Sequence, residues 1–288
     1  MTSSGEEKPK FWVPQGTKQG MWTGRAGLLI IEGPSGVGKT FLINQIAADA
    51  EMVEEGVLYL VSESIGLSLT KQTVEKLLVK EVEGVDSVKT LAREMKKEAT
   101  GGAKMPGYVF WDSVTGSMLK TAAHYRDNPK MSIDKKTKEE SHDRWAEFAL
   151  IGWPTIDALT ALRDVPGALA IAFVTSHEGS KWATLPEVAA PGDIVPKHLT
   201  QTSSLCLYMR SEKGGYEPGT QKIAMAPHRT VGVDEKGNPT GEYVDRYFTT
   251  INTGEVSAKG HSNLAMKERA ILPDVIRKIR GMYKKEEK

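Results

Sequence analysis

The sequence predicts an α/β fold with a mostly parallel central sheet flanked by helices, and three observations predict it. Short apolar runs recur at 28–31, 57–61, 108–111 and 168–174. Each has the length and composition of a strand buried on both faces. Three of them end in polar residues: Ser62-Glu63-Ser64, Asp112-Ser113 and Thr175-Ser176-His177. Helical stretches lie between the runs, and that alternation places a functional site at the carboxyl ends of the strands.

The first run carries the strongest signal. Leu28-Leu29-Ile30-Ile31 precedes Gly33-Pro34-Ser35-Gly36-Val37-Gly38-Lys39-Thr40, a complete G-x-x-x-x-G-K-T. After it, Phe41, Leu42, Ile43, Ile46 and Ala47 are spaced to line one helix face. Strand, glycine loop and helix follow in the order a phosphate-binding loop requires. Glycines 33, 36 and 38 let the backbone bend so that N–H groups point at phosphate oxygens. The helix adds the positive end of its dipole. Lys39 is expected to reach the β- and γ-phosphates and Thr40 to put its hydroxyl on Mg²⁺. Residues Gly33 to Phe41 are thus the predicted nucleotide site, with a nucleoside triphosphate and Mg²⁺ expected there. The motif does not say what the nucleotide is used for.

Bulk composition narrows the class. The 288 residues suffice for one large domain or two small ones, and 39% apolar with 26% charged residues is ordinary for a soluble globular chain. A net charge of +1 gives no global field for nucleic acid, so any such site must be a local patch. The single cysteine, Cys206, excludes an intramolecular disulfide framework and reads as a buried thiol in a reducing compartment. No apolar run approaches the ~18 residues of a membrane span, and the N-terminus has no signal-peptide core. A cytoplasmic location, that of the host cell if phage-encoded, is therefore expected.

Along the chain, residues 1–20 read as a loose arm with Phe11-Trp12-Val13 as a docking point. Gly56 precedes a second strand, and helices are expected near 68–83 and 86–99. A third strand ends at Asp112. Residues 116–142 read as a long polar insertion carrying Lys120, Arg126, Lys130, Lys135, Lys136 and Lys138. The next helix has Trp145, Phe148, Ala149, Ile156, Leu159 and Leu162 as its apolar positions, and Pro154 should kink or split it. A fourth strand delivers Thr175 to His177, and residues 178–203 read as irregular. Strands follow at Leu205–Met209 and Lys222–Met225, then a hairpin pivoting on Lys236-Gly237-Asn238. From Leu264 a helix interrupted by Pro273 is expected.

Asp112 closes a strand of four bulky residues, where a rigidly held carboxylate orients Mg²⁺ or its waters; a surface aspartate starting a turn is the alternative. No acid follows it directly, so Glu63 is the candidate to orient the attacking water; a solvated turn carboxylate is the alternative. His177 could report on the γ-phosphate, or be a neutral histidine at a strand end. Arg229, after Pro227-His228, could be a finger for a neighbouring subunit's nucleotide, or a solvated surface arginine. Zinc-spaced Cys/His clusters and G-x-S-x-G are missing from the sequence.

Taken together, GPSGVGKT, the glutamate in VLYLVSESIG, the Walker B aspartate in YVFWDSVT and the TSH after the fourth strand resemble the RecA-like ATPases. The chain looks most like the small phage-encoded RecA-like nucleotide-binding proteins, including the single-strand annealing group. The resemblance spans about residues 24–230, and only the glycine loop is highly specific. It implies a RecA-like P-loop NTPase core with a C-terminal β-hairpin and helical tail. The implied division is an arm at 1–20, an ATPase domain at 21–255 and the tail at 256–288. It also implies ATP hydrolysis between subunits of a homo-oligomeric ring or filament. Single-stranded DNA would bind to the loops 116–142 and 178–203. Tyr125 and Trp182 there could stack on bases, or be core or rim aromatics. Phage replication or recombination proteins are the implied partners, with no membrane involved. One departure is that Pro227-His228-Arg229 stands where related motors often have Lys-x-Arg. A helicase loader or packaging motor, or a nucleotide switch without DNA binding, shares the same core and remains open.

Overall fold

The computed structural model describes residues 27–62, 69–127, 144–177, 187–188, 194–217, 226–250 and 264–281. The strands are β1 (Gly27–Pro34), β2 (Val57–Val61), β3 (Leu78–Glu81), β4 (Tyr108–Asp112), β5 (Leu169–His177), β6 (Glu187–Val188), β7 (Leu205–Gly215), β8 (Arg229–Val233), β9 (Pro239–Thr249) and β10 (Lys267–Arg269). The helices are α1 (Phe41–Ala48), α2 (Ala50–Glu54), α3 (Lys71–Glu75), α4 (Val85–Thr100), α5 (Val114–Asp127), α6 (Arg144–Arg163), α7 (Ile194–Thr202) and α8 (Leu272–Gly281).

One sheet runs in the order β10-β9-β7-β1-β5-β4-β2-β3, with β6 added to β5 and β8 to β9. The pairings from β7 to β3 are all parallel. Those of β6, β8, β9 and β10 are antiparallel. The expected α/β architecture is therefore present, as a mixed sheet with its parallel part at the centre.

Alternation along the strands divides the core in two. Leu28 and Ile30 face one side with Leu58, Trp111, Ala172 and Cys206, under α4, α5, α6 and α7. Leu29 and Ile31 face the other with Tyr59, Phe110, Phe173 and Leu207, under α1 and α8. Both faces of the central strands are covered, which is why these strands read as unbroken apolar runs. Cys206 is buried and free.

Several expectations need correction. The predicted helix over 68–83 is the short α3 followed by the edge strand β3, parallel to β2. The predicted insertion at 116–142 begins as helix: α5 buries Val114, Ser117, Met118, Thr121 and Ala122 at helical spacing. Its serines, threonines and Gly116 weaken propensity, but packing against the core overrides that. Lys120 and Arg126 thus lie on a helix, and Tyr125 packs against the core rather than standing free. Residues 128–143 lie outside the described residues.

The helix α6 runs unbroken through Pro154. The Thr155 hydroxyl there donates to the Ile151 carbonyl at 2.7 Å. Part of the predicted irregular stretch 178–203 is ordered as β6 and α7. The predicted strand at 222–225 and Trp182 lie outside the described residues. The hairpin around Lys236-Gly237-Asn238 is present between β8 and β9, with the Asp234 carboxylate accepting from the N–H of Lys236 and Asn238.

The end of the chain differs most. Residues 267–269 form β10, paired with β9, and the helix starts only at Leu272. Pro273 sits in the helix's first turn, where its missing N–H costs nothing. The helix is fastened to the domain rather than trailing from it. Arg280 makes two bonds to the buried Glu55, at 2.7 and 2.5 Å, and lies over the Tyr108 ring. Arg277 bonds Asp49. Among the described residues no helix is long and apolar enough to cross a membrane.

Candidate nucleotide site

The glycine loop leaves β1 at the carboxyl edge of the sheet and winds into α1. Short backbone bonds shape it: Val37 N to Pro34 O at 3.4 Å, Phe41 N to Gly38 O at 3.1 Å and Leu42 N to Lys39 O at 3.0 Å. Gly33 is required by close approach, because a Cβ there would come within 2.7 Å of the Met209 carbonyl. Gly38 is required by its backbone conformation, and it lies against the Arg246 side chain. Its φ is +100°, and a Cβ would meet Arg246 Nε at 2.6 Å. Lys39 is buried and donates to the carbonyls of Gly33 and Pro34 at 2.8 and 2.9 Å. Its ammonium therefore lies across its own loop.

On one flank of the loop stands Asp112, at the end of β4 two strands away. Its Oδ2 accepts from the Thr40 hydroxyl at 2.8 Å and from the Tyr59 hydroxyl at 2.8 Å. Thr40 caps α1 without a side-chain cap bond, so its hydroxyl is turned to Asp112 instead. The backbone behind Asp112 is held by β2. Ser62 N donates to Asp112 O at 2.8 Å, and the Ser62 hydroxyl bridges the Ser113 N–H and carbonyl, both at 2.9 Å. The Asp112–Ser113 peptide is cis.

A hydroxyl and a carboxylate are hard oxygen donors and fit Mg²⁺, which takes few protein ligands and completes its shell with water and phosphate. Among the described residues no group of three or more His, Cys, Asp and Glu could hold a metal alone.

The structure brings the loop, Lys39, Thr40 and Asp112 together. Glu63 lies outside the described residues, directly after Ser62. His177 ends β5, the strand between β1 and β4; its register neighbours Thr175 and Ser176 pair with Gly33 and Pro34. Its side chain lies outside what is described. The Thr175 N–H donates to the Thr115 hydroxyl at 3.1 Å, tying that strand end to α5. Arg229 is partnered within its own chain. Its Nε and NH2 bond the two oxygens of Asp245, both at 2.6 Å, and its guanidinium lies over the Tyr243 ring at 4.5 Å. It is not a bare surface arginine.

Three residues of the site escaped sequence reasoning. Tyr59 is a buried tyrosine whose hydroxyl needs a partner; its place inside VLYLV was a usable signal. Arg246 reaches the loop from β9 and had no signal at all, being 209 residues from Val37. The third is Glu32, a carboxylate interrupting an apolar strand just before the loop.

Glu32 is 5% exposed and sits between Val174 on β5 and Tyr208 on β7. Burial pushes its pKa from 4.5 up to about 7, against the opposing pull of the Lys39 ammonium. The sign follows from linkage. A raised folded pKa favours the neutral carboxyl, so the stabilisation is fully present below pH 4.5 and is lost as pH rises through about 7. A shift of that size corresponds to about 3 kcal/mol. Glu32→Gln should therefore melt like the parent at pH 4.5 and several degrees higher at pH 8. Melting curves across this range check it; equal curves at pH 8 would show that Glu32 folds charged without penalty.

Comparison with protein-family models and with curated proteins finds no match to this chain.

Proposed function

We propose that this chain is a RecA-like ATPase that hydrolyses ATP with Mg²⁺ at the 33–40 loop. It acts on single-stranded DNA, as a ring or filament of identical subunits, in phage recombination or replication. The observation that carries the reading is the 2.8 Å bond between Thr40 and Asp112. Residues 72 apart in sequence meet at the mouth of a glycine loop, as two oxygen donors where a phosphate-bound Mg²⁺ needs them.

In this reading the triphosphate lies on the loop's backbone, and Lys39 exchanges the carbonyls of Gly33 and Pro34 for the β- and γ-phosphates. Thr40 and Asp112 would hold Mg²⁺, whose charge would offset that of those phosphates. Glu63 accepts a proton from the water that attacks the γ-phosphorus, the bond to the β–γ bridging oxygen breaks, and ADP carries the leaving oxygen. His177, at the end of the strand between loop and Asp112, senses the γ-phosphate. Arg229 serves a neighbouring subunit's nucleotide, exchanging Asp245 for a phosphate.

The DNA role rests on the family resemblance and on where two segments begin. Residues 128–143, with Lys130, Lys135, Lys136 and Lys138, follow β4 and α5; residues 178–193 follow β5. The second starts directly from the strand beside β1, and the first from the helix that follows β4.

The test is ATP hydrolysis with and without Mg²⁺ and single-stranded DNA, beside gel shifts at low salt. Mg²⁺-dependent turnover, raised by DNA, is expected. Absence of turnover removes the ATPase reading. Turnover without any DNA binding, in the presence or absence of ATP, removes the DNA role and leaves the ATPase.

A further inference from the structure

Four arginines among the described residues are neutralised. Arg163, Arg229, Arg277 and Arg280 each meet a carboxylate. Arg246 does not. Its Nε donates to the Val37 carbonyl at 2.9 Å and its NH1 to the Thr230 hydroxyl at 2.7 Å. Its guanidinium lies over the Phe41 ring at 5.5 Å. Among the described residues no acid pairs with it, and its NH2 donates to nothing. Burial depresses its pKa with no carboxylate opposing the effect. A part-buried guanidinium without a counter-ion is costly, and this one rests on a loop built to hold phosphate.

Topology says which end of a nucleotide it would meet. Asp112, with Thr40, marks the metal end of the loop and lies on β4, two strands to one side of β1. Arg246 lies on β9, two strands to the other side. It touches the loop's opposite flank, at Val37, Gly38 and Phe41. A triphosphate with its γ end at Asp112 therefore brings its base out toward Arg246 and Phe41. A planar guanidinium suits the base, stacking on its face or donating to its edge.

Resting on the nucleotide reading above, we propose that Arg246 is a nucleotide-binding residue that takes the nucleoside end, the base, from β9 of the same chain. The competing role is mechanical: the bond to Val37 holds the loop's shape and touches no ligand. The two differ in which ligands they affect. A loop support matters for any phosphate chain. A nucleoside contact matters only when a nucleoside is attached.

The experiment is calorimetric titration of the full chain with ADP, ATP and inorganic tripolyphosphate, using the parent, Arg246→Ala and Arg246→Gln. The glutamine variant keeps a planar N–H donor for Val37, so it covers the case in which alanine disturbs folding; melting without ligand identifies that case. Both variants should bind ADP and ATP about 10- to 100-fold more weakly, the size expected for one charged hydrogen-bonding group. Tripolyphosphate affinity should change less than about threefold. Unchanged ADP affinity in the folded variants overturns the proposal. So does an equal loss for ADP and tripolyphosphate, which assigns Arg246 to loop support. If the parent binds no nucleotide, the reading of the loop itself fails and this inference with it, an outcome visible before any variant is compared.

Discussion

Replacing Lys39 by alanine is expected to abolish ATP turnover while leaving the fold in place. The lysine is the one flexible cation in the loop itself, and it lies across the loop with its ammonium 2.8 and 2.9 Å from two loop carbonyls. Those bonds are not what shapes the loop. Gly36 and Gly38 at positive φ and the turn bonds into α1 do that, and none of them involves the lysine side chain. The variant loses charge stabilisation on the β–γ bridge, and a single well-placed donor is worth ~10²–10³-fold in rate. A second consequence follows from Glu32. Lys39 is the cation holding that carboxyl's pKa down, so its removal should leave Glu32 neutral over a wider pH range. Turnover measured beside a melting curve checks the first point. Parent-like turnover would exclude the 33–40 loop as the active site.

The parts legible in the sequence are those in which neighbouring residues determine one another. The glycine loop declares itself because strand, turn and helix must follow within one short stretch. The central strands declare themselves because both faces are buried, as in Tyr108-Val109-Phe110-Trp111. Asp112 was found because an acid after such a strand is conspicuous. What stayed hidden depends on partners distant in the chain. The strand β9 runs Tyr243-Val244-Asp245-Arg246-Tyr247-Phe248 with no strict alternation, so nothing in it says that Arg246 lies on the loop. Likewise Arg229 looks solvated until β9 supplies Asp245 across the ladder.

The helix α5 reads as a polar insertion because its buried face mixes Val114, Met118 and Ala122 with the hydroxylated Thr115, Ser117 and Thr121. Their polar groups are satisfied locally: Thr121 donates to Ser117 O, and Ser117 accepts from the Trp111 indole. The segment 264–271 was misread as helix because a three-residue edge strand leaves almost no periodic signal.

Asp112→Asn should separate the metal's contribution from the lysine's. The aspartate's Oδ2 takes two hydroxyl protons, from Thr40 and Tyr59. An asparagine can place its own oxygen at that point and keep both bonds, so the strand end and the loop should stay where they are. The amide removes the negative charge, and Mg²⁺ binding at a hydroxyl–carboxylate pair depends on that charge. Turnover should fall by ~10²–10³-fold at ordinary Mg²⁺. It should recover in part as Mg²⁺ is raised, which Lys39→Ala should not do. Tyr59→Phe is the control. It removes one bond to the carboxylate but not the charge, and a hydrogen bond to a charged group is worth about 1.5–3 kcal/mol. Its cost should therefore appear mainly as a lower melting temperature, with turnover and Mg²⁺ dependence close to the parent's. Magnesium titration of the steady-state rate for all three proteins decides the matter. If Asp112→Asn keeps the parent's rate and Mg²⁺ dependence, then Asp112 fixes Thr40 and Tyr59 in place but does not hold the metal.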